Sequence, residues 1–169
     1  MFEINDIVLY GNDGVCTLTD IVSKDINGKQ ADYYALCPVY DGSATIFVPI
    51  DNEKLTSRMR KVISKDEINK LIRSMPEEET IWIENESERK EKYKAIIAAG
   101  DRKKLVQIIK TLYLHQNNQK AKGRKLHLCD ERFLKDAEKI LYDEFALVLG
   151  IERSQVLPFI MQQVDLAQK

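Results

Sequence analysis

Apolar and polar positions change rhythm once along the chain, near residue 64. Before it the pattern is that of short strands. Ile7, Val8, Leu9 and Tyr10 form an apolar run, Gly11-Asn12-Asp13-Gly14 breaks it, and a second β-favouring run follows over 15–21. An apolar run, a glycine-bounded turn and an alternating run predict two tightly joined strands. Gly14 is expected where the backbone needs positive φ or close approach, which a Cβ resists. Asn27-Gly28 is a hairpin signal, followed by a run over 32–37, then Pro38 and a further turn candidate at Asp41-Gly42. A last run over 44–48 stops at Pro49, which has no amide hydrogen for a ladder bond. Four or five short strands at close spacing predict a small SH3- or Tudor-like barrel over 1–53, with 54–63 as a linker.

From Ser64 the period becomes helical. Ser64 and Glu67 form a capping-box pattern, with Ile68, Leu71 and Ile72 on one face and a stop near Met75-Pro76. The acidic stretch Glu77-Glu78-Glu79 leads to Ile81-Trp82-Ile83, and a helix over 87–99 ends at Gly100, a left-handed cap. Asp101 caps a helix whose apolar face is Leu105, Ile108, Ile109 and Leu112. After a polar, basic linker over 117–124, a helix over 129–149 aligns Phe133, Ala137, Ile140, Leu141, Phe145 and Val148. A last short helix is expected to start at a Ser154 cap, with Pro158 in its first turn. The fold class is therefore α+β: a small Tudor/SH3-like β-barrel followed by a compact all-α domain over 64–169.

Charge sharpens this division. The net charge of −1 over 169 residues conceals two lysines against nine acids in 1–53, and ten basic residues against one acid in 92–127. Such asymmetry gives the two parts different partners and makes the basic one a candidate for a polyanion; the alternative is a solvated helix face. No run of eighteen apolar residues suggests a membrane span, and the first residues lack the basic and apolar regions of a signal peptide. Cys16, Cys37 and Cys129 have no C-x-x-C spacing and read as reduced, mostly buried thiols of a cytoplasmic protein.

No catalytic constellation is visible. His115 and His127 have no cysteine or acid at metal-ligand spacing and read as surface or cap residues; no phosphate-loop, dinucleotide or nucleophile-elbow motif occurs. No cofactor and no metal are expected, and a binding module fits better than an enzyme. The single tryptophan, Trp82, is either a core anchor or a partly exposed wedge able to press on unstacked bases. Arg89, Lys90, Lys92 and Lys94 are able to hold phosphates without reading sequence, although Glu84, Glu86, Glu88 and Glu91 oppose them.

The pattern F-x-x-x-D-x-V-x-Y-x-x-x-G-V, carried by Phe2, Asp6, Val8, Tyr10, Gly14 and Val15, resembles the CarD/CdnL family of bacterial transcription regulators. Ile21, Asn27-Gly28, Tyr33, Tyr34, Val48-Pro49, Trp82, Tyr93-Lys94, Gly100-Asp101 and the stretch 134–141 continue the similarity in order. The resemblance implies an N-terminal Tudor-like domain that binds the β subunit of bacterial RNA polymerase, here through Lys24, Ile46 and Phe47. It also implies a helical domain at the upstream edge of the promoter bubble, with a Trp82 wedge and Arg89, Lys90, Tyr93 and Lys94 on promoter DNA. The implied outcome is a stabilised open complex in the cytoplasm, at the nucleoid, with no membrane contact. The transcription-repair coupling factor shares the polymerase-binding module, but its helicase motifs are absent here. The competing expectation is a pure interaction module that binds polymerase, or another partner, without productive DNA contact.

Overall fold

The computed structural model describes residues 1–168 except Asp41 and Ser43, with side chains through Val164. The expected turn at Asp41-Gly42 therefore falls partly outside the described residues. The chain divides into two compact units, Met1–Val62 and Ile63–Lys169.

The first unit is a five-stranded antiparallel sheet of Tudor-like type: β1 Ile7–Tyr10, β2 Val15–Ile26, β3 Lys29–Pro38, β4 Ile46–Pro49 and, after the short helix α1 Glu53–Thr56, β5 Met59–Lys61. Spatial order is β4-β3-β2-β1-β5. Between β1 and β2, a 3-10 turn at Gly11–Asp13 closes with the Tyr10 amide donating to the Gly14 carbonyl at 2.9 Å. Gly14 holds φ 73°, as its place in the turn requires. Asn27 and Gly28 hold φ 54° and 77°, consecutive left-handed residues that match the twist of the flanking strands. A register shift between Leu18 and Asp20 lets the twelve-residue β2 bend around its core. That core is Val8, Tyr10, Cys16, Leu18, Tyr34, Leu36, Val48 and Met59, with Ile46 packed against it.

Of the stretch 54–63, expected as a linker, residues 54–62 are part of this fold and Ile63 opens the second unit. Leu55 half-buries on the sheet core, and Met59, Arg60 and Lys61 pair with Tyr10, Leu9 and Val8. A three-residue strand with two cations has no room to display an alternating pattern, so its pairing was invisible in the sequence.

The second unit packs five helices: α2 Lys65–Ser74, α3 Glu86–Ala99, α4 Arg102–Ala121, α5 Leu128–Leu149 and α6 Arg153–Gln168. The capping box is formed: Ser64 Oγ accepts from the Glu67 amide and Glu67 Oε2 accepts from the Ser64 amide. Asn85 and Asp101 cap α3 and α4, and Gly100 and Gly150 end α3 and α5 in left-handed conformation. The apolar positions expected inside are inside, except that Leu71 and Val148 are half-buried. One expectation fails: α6 spans sixteen residues from Arg153, so Pro158 lies within it rather than in a first turn after Ser154. Ser154 and Pro158 are both exposed, so water can serve the carbonyl that proline leaves unbonded.

Helix α5 is the axis of this unit, and it buries three acids as well as apolar groups. Asp130 takes a bidentate contact from Arg89, at 2.9 and 3.0 Å, and Glu144 takes one from Arg102, at 2.6 Å on each oxygen. Asp143 has Arg153 Nε at 3.2 Å from Oδ1, close enough for an ion pair but without hydrogen-bond geometry.

Candidate functional site

Trp82 lies in an extended segment between the 3-10 turn Met75–Glu77 and α3, with neither helix nor strand to hold it. Its neighbours hold it instead. The Ile81 amide donates to Thr111 Oγ1 at 2.9 Å, Tyr93 Oη donates to the Ile81 carbonyl at 2.9 Å, and Arg89 Nη1 donates to the Ile83 carbonyl at 2.8 Å. Three polar bonds on the flanking backbone fix where the indole emerges. The indole is half-buried, with Nε1 donating to Glu84 Oε1 at 3.1 Å. The His115 ring stacks on it with centroids 3.9 Å apart and planes at 22°, and the Arg89 guanidinium carbon lies 4.4 Å from its centroid. Neither sequence alternative holds unmodified: the indole is no sealed core anchor, yet it is braced.

Two residues expected on DNA are corrected by this geometry. Arg89 is 3% exposed, and its guanidinium is consumed by Asp130 and the Ile83 carbonyl. Burial of a paired arginine leaves no donor facing outward for a phosphate. Tyr93 is fully buried, edge-on to Phe133 at 5.7 Å. Burial pushes its hydroxyl up to about 12, so it stays a donor to the Ile81 carbonyl. Both residues bond the backbone that flanks Trp82, Arg89 at the Ile83 carbonyl and Tyr93 at the Ile81 carbonyl. Lys94 and Lys92 are exposed on α3. Lys90 pairs with Glu86 one turn earlier at 3.3 Å, and that carboxylate raises its ammonium above the usual lysine value.

Further basic residues lie along α4 and in the turn after it, beyond the ring that stacks on the indole. His115 touches Trp82, its ring nitrogen lies 3.4 Å from Gln119 Nε2, and the Gln119 carbonyl accepts from the Lys122 and Arg124 amides. The turn carrying Lys120, Lys122, Arg124 and Lys125 thus sits roughly 10 Å of helix rise beyond the stacked ring. All four are exposed, and none makes a side-chain ion pair among the described residues. The sequence reading placed this turn in a linker and His115 on a plain surface. The available signal was the row Thr111, His115, Gln119 at four-residue spacing, one face of one helix.

On the N-terminal unit, β4 pairs with β3 alone among the described residues and stands last in the strand order. Phe47 is 40% exposed and Lys24 Nζ lies 3.4 Å above its ring centroid, so the two form one outward cation–π patch. Ile46 points the other way and packs, half-buried, against the core. Of the three residues expected on polymerase, Lys24 and Phe47 are brought together and Ile46 is not part of their contact.

No group of three or more potential metal ligands occurs among the described residues. A groove of about 670 Å³ between α4 and α6 is lined mainly by Val106, Ile109, Leu114, Leu157 and Met161. Its lysine, Lys110, is occupied by the Met75, Pro76 and Glu78 carbonyls. Cys16 is buried, Cys37 and Cys129 are half-buried, and no disulfide joins them among the described residues. No helix is long and apolar enough to cross a membrane among the described residues.

Comparison with protein families assigns both units. Residues 2–63 match the CarD-like/TRCF RID domain, and residues 68–160 match the CarD C-terminal domain.

Proposed function

The chain belongs to the CarD family of transcription regulators that interact with RNA polymerase, and from that premise we propose that it stabilises the open promoter complex while tethered to the polymerase β subunit. The single observation that carries this reading is the Trp82 indole. It is half-buried, its backbone is pinned on both sides, and the His115 ring stacked on it belongs to the helix that leads into a basic turn. An aromatic ring held this way is suited to the upstream edge of a melted bubble. There it obstructs re-stacking without needing to read a base. Lys94, Lys120, Lys122, Arg124 and Lys125 serve as phosphate contacts, sequence-independent and weakened by salt.

The effect is a shift of an existing equilibrium. An indole that gains contact only when the duplex is open favours that state by its differential affinity, tenfold for about 1.4 kcal/mol. The tether is proposed to be the β4 edge, whose main chain can extend a partner strand, with Phe47 and Lys24 supplying side-chain contact. On this reading the protein acts in the cytoplasm at the nucleoid, carried there by polymerase, and performs no catalysis of its own.

One observation favours a second reading, an interaction module without productive DNA contact. Glu84, Glu86 and Glu88 are exposed beside the indole, and Glu84 holds its N–H, so the local field repels phosphate. Two variants separate the readings. Phe47→Asp is expected to lose polymerase capture in a pull-down. Trp82→Ala is expected to keep capture and lose open-complex stabilisation. If Trp82→Ala opens promoters as well as wild type does, the second reading replaces the first.

A further inference from the structure

We propose that His115 is a positioning residue for the Trp82 indole, the rigid backing against which the wedge works. This rests on the wedge reading and adds a residue to it. Trp82 projects from a segment without secondary structure, and a side chain on such a segment can swing about two torsions when pushed. A wedge is pushed: duplex that tries to re-stack presses on the ring. Something must hold the ring's orientation.

Two groups lie against the indole ring, and they differ in kind. The Arg89 guanidinium is committed to Asp130 and to the Ile83 carbonyl, so its place over the ring is set by the core of the unit. His115 makes a near-parallel ring contact, at 3.9 Å between centroids and 22° between planes. It stands on α4, a twenty-residue helix anchored by the buried Leu105, Ile108, Ile109 and Leu112. Thr111, one turn earlier on the same face, holds the Ile81 amide, and Gln119, one turn later, contacts the imidazole. One row of α4 therefore fixes the backbone before Trp82, the ring of Trp82, and the ring that backs it. A flat side chain is required at the middle position; a basic one is not.

Aromatic stacking of this geometry is of a size to change an opening equilibrium about two- to tenfold. The experiment uses the full chain in four forms: wild type, His115→Ala, His115→Phe and Trp82→Ala. Open-complex lifetime, polymerase capture and thermal midpoint are measured on each. Because Trp82 is the only tryptophan, steady-state fluorescence anisotropy reports its freedom directly. His115→Ala is expected to keep capture, lower the anisotropy and shorten the open-complex lifetime about two- to tenfold, with His115→Phe restoring both. A loosened indole in His115→Ala with an unchanged lifetime overturns the positioning role, while a shortened lifetime in Trp82→Ala leaves the wedge standing. Recovery of thermal midpoint but not of lifetime by His115→Phe likewise overturns it, reducing His115 to a structural contact. An unchanged lifetime in Trp82→Ala removes the wedge and the positioning role together.

Discussion

Arg89 and Lys122 carry the same charge and do opposite work, which only their surroundings reveal. Arg89 is spent inside the helical unit, whereas Lys122 stands in water. Arg89→Ala strands Asp130 in the interior, and a broken buried pair of this kind costs about 3–5 kcal/mol. Loss of cooperative thermal unfolding in the helical unit is the expected outcome. Lys122→Glu with Lys125→Glu is expected to leave the thermal midpoint unchanged while weakening promoter retention and flattening its salt dependence. Glu84→Gln keeps an acceptor for the Trp82 N–H and removes a charge, so tighter promoter retention at low salt is expected from a filter-binding titration. In the sequence all of these are simply charged residues in a charged neighbourhood. The partner that buries Arg89 lies forty-one positions away. Pairings at that range leave no periodic trace.

At the scale of elements, the helices announced themselves through caps and apolar stripes, which are local. What stayed hidden needed a distant partner. Strand β5 is a strand only because β1 pairs with it, and α5 tolerates buried acids only because α3, α4 and the start of α6 bring arginines. Of these acids Asp143 is the least well served. Burial raises its pKa, and Arg153 only partly opposes the rise. The folded chain therefore binds this proton more tightly than the unfolded chain. Stability from this group is present at acid pH and falls as pH rises through the interval above the ordinary carboxylate value. Asp143→Asn is accordingly expected to raise the thermal midpoint by a few degrees at pH 7 and to make no difference near pH 3, in a calorimetric pH series.

For the molecule as a whole, the first unit holds six basic residues against nine acids and the second twenty against eighteen, so the charge contrast is milder between the units than between 1–53 and the stretch 92–127. The first unit carries the candidate polymerase face, and the helical unit carries the indole and the exposed basic turn after α4. The α+β class and the order of the units were legible in the switch of apolar rhythm; the end of the first unit was not, because 54–63 lacks any rhythm of its own. A practical consequence follows for dissection. Residues 1–62 are expected to capture polymerase, whereas 1–53 lacks β5, exposes the edge of β1 and is expected to aggregate or unfold.

The most direct measurement is the lifetime of a promoter open complex after competitor challenge, at fixed salt and saturating protein, with wild type and with Trp82→Ala. The expected result is a lifetime extended by wild type and shortened about two- to tenfold by the variant, at equal polymerase occupancy. Equal lifetimes at equal occupancy would contradict it, and would leave the indole without a part in holding the bubble open.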